Sequence, residues 1–142
     1  MRELALAALI LIWILEHGAE ADVAVTTINF SHHFDECGAT CTYNETHNGL
    51  FVNYNGILLG TYTNSYNEQS LGFGIEHHMG AWHNIDLSGS IIFATGYKRD
   101  SGSWGNLMLI PSVNVDWPIY RRLKWRTSYA VVAAFTGLKY EF

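Results

Sequence analysis

The chain has 142 residues, which is enough for one domain. Apolar residues make up 49% of it and charged residues only 15%, well below the share that is usual in a soluble domain. The net charge of −5 excludes the basic footprint of a nucleic-acid-binding protein, and two prolines beside thirteen glycines favour β-structure with many bends over a helical bundle.

The first 21 residues have the features of a secretory signal peptide. Leu4 to Leu15 is an unbroken apolar run of twelve residues, too short to span a bilayer. Ala19-Glu20-Ala21 matches the A-x-A pattern of a cleavage site. We therefore predict that residues 1–21 are removed and that residues 22–142 form the domain. An uncleaved membrane anchor is the alternative, which Glu16 disfavours because it ends the apolar run early.

Apolar and polar residues alternate with a period of two through most of the remaining chain, which is typical of half-buried strands. Asn55-Gly56 is a strong hairpin signal, and further turns are indicated within 79–84, 98–106 and 117–122. The predicted strands are 23–34, 43–54, 57–66, 69–78, 85–97, 107–117, 122–132 and 134–142. Each has about nine to thirteen residues, the length that a tilted strand needs to cross a bilayer.

The two faces of these strands favour a membrane barrel over a soluble fold. The apolar face is rich in aromatic residues near strand ends, as the interfacial girdles of a membrane barrel require. The other face carries charges on strand after strand: Glu76, Asp86, Asp116, Lys124, Arg126, Lys139 and Glu141. Unpaired charges are too costly to bury, so the six from Asp86 onward are predicted to pair across a narrow lumen.

The sequence thus predicts an all-β fold, an eight-stranded antiparallel up-and-down transmembrane β-barrel in the outer membrane. A soluble barrel of lipocalin type is the alternative. Cys37 and Cys41 follow the first strand, where export to an oxidising compartment would let a disulfide persist across a small turn. A zinc site at these cysteines is the competing interpretation, but the sequence supplies no further ligands at matched spacing.

Two strand ends that share one rim carry the candidate catalytic residues. In the first strand, alternation places the odd-numbered residues from Thr27 to His33 on the lumen face and the even-numbered ones, including His32, outside. The third strand ends at the same rim, in the polar stretch that contains Asn64 and Ser65. A histidine and a serine on one rim can form a base and a nucleophile. The alternative role for His33 is hydrogen bonding to lumen carboxylates.

Four pieces of the chain resemble the outer-membrane lipid A palmitoyltransferase family in order and approximate spacing. That family has an I-T-W-H segment on its first strand, a Y-N-E-R stretch, a strand ending in Asp-Ser before Trp-Asn, and an I-P-L-P region. The corresponding pieces here are Ile28 to Phe34, Tyr43-Asn44-Glu45, Asn64-Ser65-Tyr66-Asn67 and Leu109-Ile110-Pro111. The resemblance covers most of the chain after residue 21 and implies an eight-stranded barrel that holds an acyl chain in its lumen.

The resemblance also implies an activity, acyl transfer to lipid A from a phospholipid donor, by a single chain with no metal and no cofactor. The catalytic residues it implies are His33, Ser65 and Asn64. His33 matches the family histidine, with His32 or Ser31 taking that place under a shifted alignment.

One departure from the family keeps a second hypothesis open. Asn64 stands where the family has an aspartate, and an amide cannot hold an imidazolium as a carboxylate does. Glu45 or Asp35 are the candidates to replace it. The second hypothesis is therefore a non-catalytic barrel, which would be structural, bind a small ligand or modify the envelope. No metal site is predicted, because the adjacent His77 and His78 point to opposite faces of a strand.

Overall fold

The computed structural model describes residues 22–34, 42–97 and 103–142. The predicted signal peptide and both cysteines lie outside these residues, and the statements about them stay predictions. Within the described ranges the strands are β1 (Val23–His33), β2 (Thr46–Tyr54), β3 (Ile57–Thr63), β4 (Gln69–Trp82), β5 (Ile85–Thr95), β6 (Ser103–Trp104), β7 (Leu107–Tyr120), β8 (Leu123–Ala130) and β9 (Ala133–Glu141). These residues include no helix that is long and apolar enough to cross a membrane.

Eight of the strands close into an antiparallel barrel. Strands β1 to β5 pair in chain order, β5 pairs with β7, β7 to β9 pair in order, and β9 pairs back with β1. The two-residue strand β6 pairs with the start of β7 and is not one of the eight barrel strands, which we call staves. The prediction of an all-β, eight-stranded antiparallel up-and-down barrel is confirmed, whereas β6 was not anticipated.

The connections between strands are short at one end of the barrel and mostly longer at the other. Two-residue turns at 55–56, 83–84 and 121–122 define what we call the short-turn rim. The opposite end, which we call the loop rim, is where β1, β3, β5 and β8 end. Asn55 and Gly56 both have positive φ, at 50° and 85°, as a type I′ hairpin turn requires, so this predicted turn is confirmed.

Two strands continue further toward the short-turn rim than the sequence suggested. The stretch 79–84 looked like a turn because of Gly80, but β4 runs on to Trp82 and Gly80 lies at an irregularity in its pairing with β5. Pro118 looked like a turn residue, yet it lies within β7, next to a similar irregularity before Tyr120. A strand tolerates proline or glycine at a bulge, where the regular ladder is interrupted.

The barrel presents an apolar face outward. In β3, Ile57 and Leu59 are 63% and 51% exposed, while Leu58 between them points into the lumen and is 4% exposed. The other staves also expose large apolar side chains: Phe30, Leu50, Phe73, Ile91, Val113, Trp125 and Leu138. The core of the molecule is therefore the lumen and not a space between two sheets.

The lumen contains an apolar cluster beside the charged face. Its buried members are Phe51, Leu58, Tyr62, Ala94 and Tyr97. The ring of Phe51 needs the absence of a side chain at Gly72, since a Cβ there would lie 2.6 Å from its Cζ. An eight-stranded barrel is just wide enough for side chains to fill it in this way.

Candidate active site

His33 and Ser65 meet at the loop rim. Nε2 of His33, the last residue of β1, lies 2.8 Å from Oγ of Ser65, which follows β3. The side chain of His33 is only 6% exposed, and Ser65 is equally buried. The two residues that the sequence placed on one rim are thus in hydrogen-bond contact, and His32 points outward with 77% of its side chain exposed.

An irregularity in β1 gives His33 its inward direction. The pairing of β1 with β2 shifts between Ile28 and Phe30. Before the shift the even-numbered residues face inward, and Ile28 lines the central cavity. After the shift the odd-numbered residues Ser31 and His33 face inward. The prediction that Ile28 faces outward was therefore wrong, because an extra residue in a strand reverses the alternation beyond it.

Glu45 is the acidic group beside the histidine. Its Oε1 lies 4.0 Å from Nδ1 of His33 and 3.7 Å from Nδ1 of His32, and its side chain is half exposed. Residues 43–45 were predicted to begin the second strand, but β2 starts at Thr46. Asn44 explains the difference, because its side chain bonds the backbone N–H and C=O of Thr46 and interrupts the strand conformation.

Asn44 also ties this segment to the serine. Its backbone N–H donates to the carbonyl oxygen of Ser65 at 2.8 Å, and its side-chain amide donates to the carbonyl oxygen of Asn64 at 3.1 Å. Glu45, the next residue, is thereby held against the rim at which His33 ends. Of the two acidic residues considered as replacements for the family aspartate, Asp35 lies outside the described residues.

The side chain of Asn64 is engaged in the turn and is fully buried. Its Nδ2 donates to the Gly96 carbonyl oxygen at 2.9 Å and to Ser70 Oγ at 3.1 Å. Its Oδ1 accepts from the backbone N–H groups of Tyr66 and Glu68. The amide of Asn64 therefore shapes the turn that precedes and follows Ser65. A catalytic role for Asn64 remains a prediction.

Aromatic rings line the path from His33 and Ser65, which we call the dyad, into the lumen. The ring of His33 stacks on Tyr43 with centroids 4.0 Å apart and an angle of 17°. Tyr66 lies between Tyr43 and Tyr97, with centroids about 6 Å from each. The hydroxyls of Tyr97 and Tyr62 are 2.7 Å apart, so the row ends in the apolar cluster. Stacking fixes the plane of the imidazole, which a general base needs.

His47 is a buried polar residue of this region that the sequence analysis did not single out. It is fully buried, with Nε2 2.6 Å from Ser31 Oγ and Nδ1 2.6 Å from the Thr63 carbonyl oxygen. Alternation along β2, in which His47 shares the face of Phe51, was the available signal. Its two partners lie on the strands to either side of β2.

Arg126 is the centre of the charged part of the lumen. Its Nε and Nη2 donate to both carboxylate oxygens of Asp116, at 2.6 and 2.8 Å. Its Nη1 and Nη2 donate to Glu76 at 2.6 and 3.0 Å. Glu76 was noted as a charge on this face but was not among the six residues predicted to pair.

The two lysines complete the network. Lys139 Nζ lies 3.0 Å from carboxylate oxygens of both Asp116 and Glu141. Lys124 bonds Asp86 and also lies 2.7 Å from Glu141. All six predicted residues therefore pair across the lumen, and the prediction is confirmed. Since they lie near the strand ends at 86, 116, 124 and 141, they line the lumen toward the short-turn rim, around a polar cavity of about 290 Å³.

A cavity of about 60 Å³ lies between the row of tyrosines that ends at Tyr62 and the charged network around Arg126. Phe51, Leu58 and Ile92 line its apolar side, and Glu76 and Arg126 its polar side. At about 10–15 Å³ per water molecule it has room for four to six waters, far less than a long acyl chain needs. The described residues include no group of three or more histidines, cysteines and acids that could hold a metal ion.

Comparison of the chain with protein-family models, curated proteins and solved structures returned no match.

Proposed function

We propose that the protein is an outer-membrane barrel that transfers an acyl group from a phospholipid to lipid A, with Ser65 as nucleophile and His33 as general base. The observation that carries the proposal is the 2.8 Å contact between His33 Nε2 and Ser65 Oγ. A nucleophile and a base within hydrogen-bond reach, with a third group beside the base, are the usual signature of covalent acyl transfer. Glu45, 4.0 Å from the other ring nitrogen, is the third group.

The reaction requires the tautomer of His33 that carries its proton on Nδ1. With the proton on Nδ1, Nε2 of His33 accepts the proton of the Ser65 hydroxyl as Oγ attacks the ester carbonyl. The tetrahedral adduct then collapses to an acyl-serine, and the imidazolium returns its proton to the leaving alkoxide. In a second step a hydroxyl of lipid A attacks the acyl-serine while His33 removes its proton; the bond between the acyl carbon and Ser65 Oγ then breaks, and the imidazolium returns the proton to Oγ. Water in the same place would give hydrolysis.

Two features support a membrane location. The outward face exposes large apolar side chains on every stave, an area that soluble proteins rarely leave uncovered. Aromatic residues gather on the outside at the short-turn rim: Trp82, Trp117, Tyr120, Trp125 and Tyr140. Outer-membrane barrels have such girdles, with short turns on the periplasmic side and longer loops outside. On that pattern the dyad at the loop rim faces the leaflet that contains lipid A.

A non-catalytic barrel is the second candidate, and the small central cavity favours it. The central cavity of about 60 Å³ does not hold an acyl chain, although the family that the sequence resembles uses its lumen for one. Under this candidate, the network around Arg126 closes the barrel and the contact between His33 and Ser65 only fastens β1 to the turn after β3.

Mass spectrometry of lipid A separates the two candidates. Cells that express the protein should add one acyl chain to lipid A, and cells with Ser65→Ala or His33→Ala should not. His32→Ala is the matched control, because His32 is the chain neighbour of His33, points outward and leaves the dyad intact. Loss of the dyad removes general-base catalysis and the nucleophile, so we expect a fall of at least about 100-fold in acylated product.

Two outcomes of this experiment would contradict the proposal. An unchanged acyl pattern between cells with and without the folded protein would reject acyl transfer and leave the non-catalytic barrel. Equal product from the wild type and from Ser65→Ala would keep the activity but reject Ser65 as its nucleophile.

A further inference from the structure

The buried imidazole of His47 connects the two strands that carry the dyad. His47 is the second residue of β2, which lies between β1 and β3 in the sheet. Its Nε2 is 2.6 Å from Oγ of Ser31 on β1, and its Nδ1 is 2.6 Å from the carbonyl oxygen of Thr63 on β3. A single rigid ring thus reaches both neighbouring strands at the level of the loop rim.

The partners fix how this ring is protonated. A carbonyl oxygen only accepts hydrogen bonds, so Nδ1 of His47 carries a proton and donates it to Thr63. In the neutral ring Nε2 is then an acceptor, and the hydroxyl of Ser31 donates to it. Both bonds are satisfied at once, which a fully buried polar side chain requires.

Each partner of His47 stands two residues before a member of the dyad. Ser31 precedes His33 on β1, and Thr63, the last residue of β3, precedes Ser65. Ser31 and His33 both belong to β1, and residues two apart in a strand share a face and are roughly 6.6 Å apart. The His47 link therefore lies one step deeper in the barrel than the contact between His33 and Ser65, and it spans the same two strands.

The regular ladder between β2 and β3 ends before this level of the barrel, where single backbone bonds such as that from Ser31 N–H to the Glu45 carbonyl oxygen remain. The ladder between β2 and β3 runs from Tyr54 opposite Ile57 to Leu50 opposite Thr61, and so stops short of Thr63. The ladder between β1 and β2 is irregular between Ile28 and Phe30. Side-chain bonds that bridge the strands matter most where the ladder is interrupted, and His47 supplies two of them.

We propose that His47 is a positioning residue, which keeps Nε2 of His33 and Oγ of Ser65 at bonding distance by bridging Ser31 and Thr63. The inference rests on the proposed function for its chemical meaning, because only a reacting dyad needs such placement. A displacement of about 1 Å at a reacting pair can reduce its rate by about 100-fold. His47 bonds Ser31 and Thr63 and acts on the dyad through these neighbours.

The test uses the full barrel in detergent micelles and two independent readouts. The first is the ¹⁵N NMR signal of the His33 ring, which reports the hydrogen bond to Ser65 whether or not the protein is an enzyme. The second is the rate at which a fluorophosphonate probe labels Ser65. We expect His47→Leu to shift the His33 signal away from its bonded value and to slow labelling by about 10- to 100-fold.

Two further variants make the test specific. Phe51→Leu removes packing from the same face of the same strand, so it should lower stability but leave the His33 signal and the labelling rate unchanged. Ser31→Ala removes only one arm of the bridge and should change both readouts in the direction of His47→Leu. Ser31→Ala serves in its place if His47→Leu does not fold.

The outcomes separate this inference from the proposed function. If the wild type labels at Ser65 and a folded His47→Leu or Ser31→Ala variant keeps both readouts, positioning by His47 is rejected and the dyad stands. If the His33 signal shifts in the variants but wild-type Ser65 does not label, positioning stands and the nucleophile is rejected. If Phe51→Leu shifts the signal as much as His47→Leu, the effect is general loosening and the inference is overturned.

Discussion

Replacing Arg126 by methionine tests whether the charged side chains lie in the lumen as buried ion pairs. The guanidinium makes four hydrogen bonds of 2.6–3.0 Å to Asp116 and Glu76. Its side chain is 7% exposed, and those of its partners are 2% and 7% exposed. Removing one partner of a buried ion pair costs about 3–5 kcal/mol, because the other charge stays buried without it. Lys139 remains 3.0 Å from Asp116 and offsets part of this, so we expect about 3 kcal/mol.

The assay is urea unfolding in lipid vesicles, with the midpoint compared at constant slope. Leu87→Met is the control, since Leu87 faces outward, is 37% exposed and changes little in volume; it should cost less than about 1.5 kcal/mol. Adding Glu76→Met to Arg126→Met should recover part of the loss, because removing both partners leaves fewer unpaired charges. If Arg126→Met is as mild as Leu87→Met, the charged side chains do not lie in a packed lumen and the reasoning is wrong.

Three further predictions test the wall, the turn and the closure of the barrel. Gly137→Ala should destabilise the barrel by about 1–3 kcal/mol, because a Cβ would lie 1.8 Å from a carbonyl oxygen of β1; Gly89→Ala, whose Cβ would have no neighbour closer than 3.4 Å, should be mild in the same unfolding assay. Asn64→Asp restores the residue of the resembled family, yet it should cost about 1–3 kcal/mol in thermal unfolding, since a carboxylate oxygen would face the carbonyl oxygen of Gly96; unchanged stability would show that the turn does not need the amide. In planar bilayers the protein should give no steady conductance steps, because the network around Arg126 bridges the lumen from Asp116 to Glu76, and regular steps would contradict that closure.

Alternation along the strands was enough to predict the barrel and its charged interior. A period of two forces every second residue to the same side, so charges such as Asp116 and Lys139 had to lie together once the sheet closed. That His33 and Ser65 share a rim followed from counting which strand ends lie at the same side of the barrel, whereas their contact is a finding of the structure. These features depend only on local geometry repeated around a closed sheet.

The alternating pattern does not predict where the alternation of inward and outward residues is interrupted. The irregularity after Ile28 reverses the faces of β1, and nothing in the residue types near it marks its position. Glu45 approaches His33 from a segment with no strand pattern, held by bonds from Asn44 to the neighbouring turn. The amide nitrogen of Asn64 donates to Ser70 and to Gly96, which come from other chain segments, so its part in the turn depends on tertiary contacts as well as on its neighbours in sequence.

The pairing of β1 with β9 has a consequence for how the barrel forms. The other stave pairs join strands that are neighbours along the chain, as Val52 opposite Leu59, whereas closure brings Val25 opposite Tyr140, 115 positions away (140 − 25). Each doubling of a loop costs about 0.6 kcal/mol, so closing this pair carries an entropic penalty roughly 2–3 kcal/mol larger than that of the Val52 hairpin. The pairing of β1 with β9 should therefore be the last to form and the first to open. Ser31 and His33 lie on β1 along this pairing.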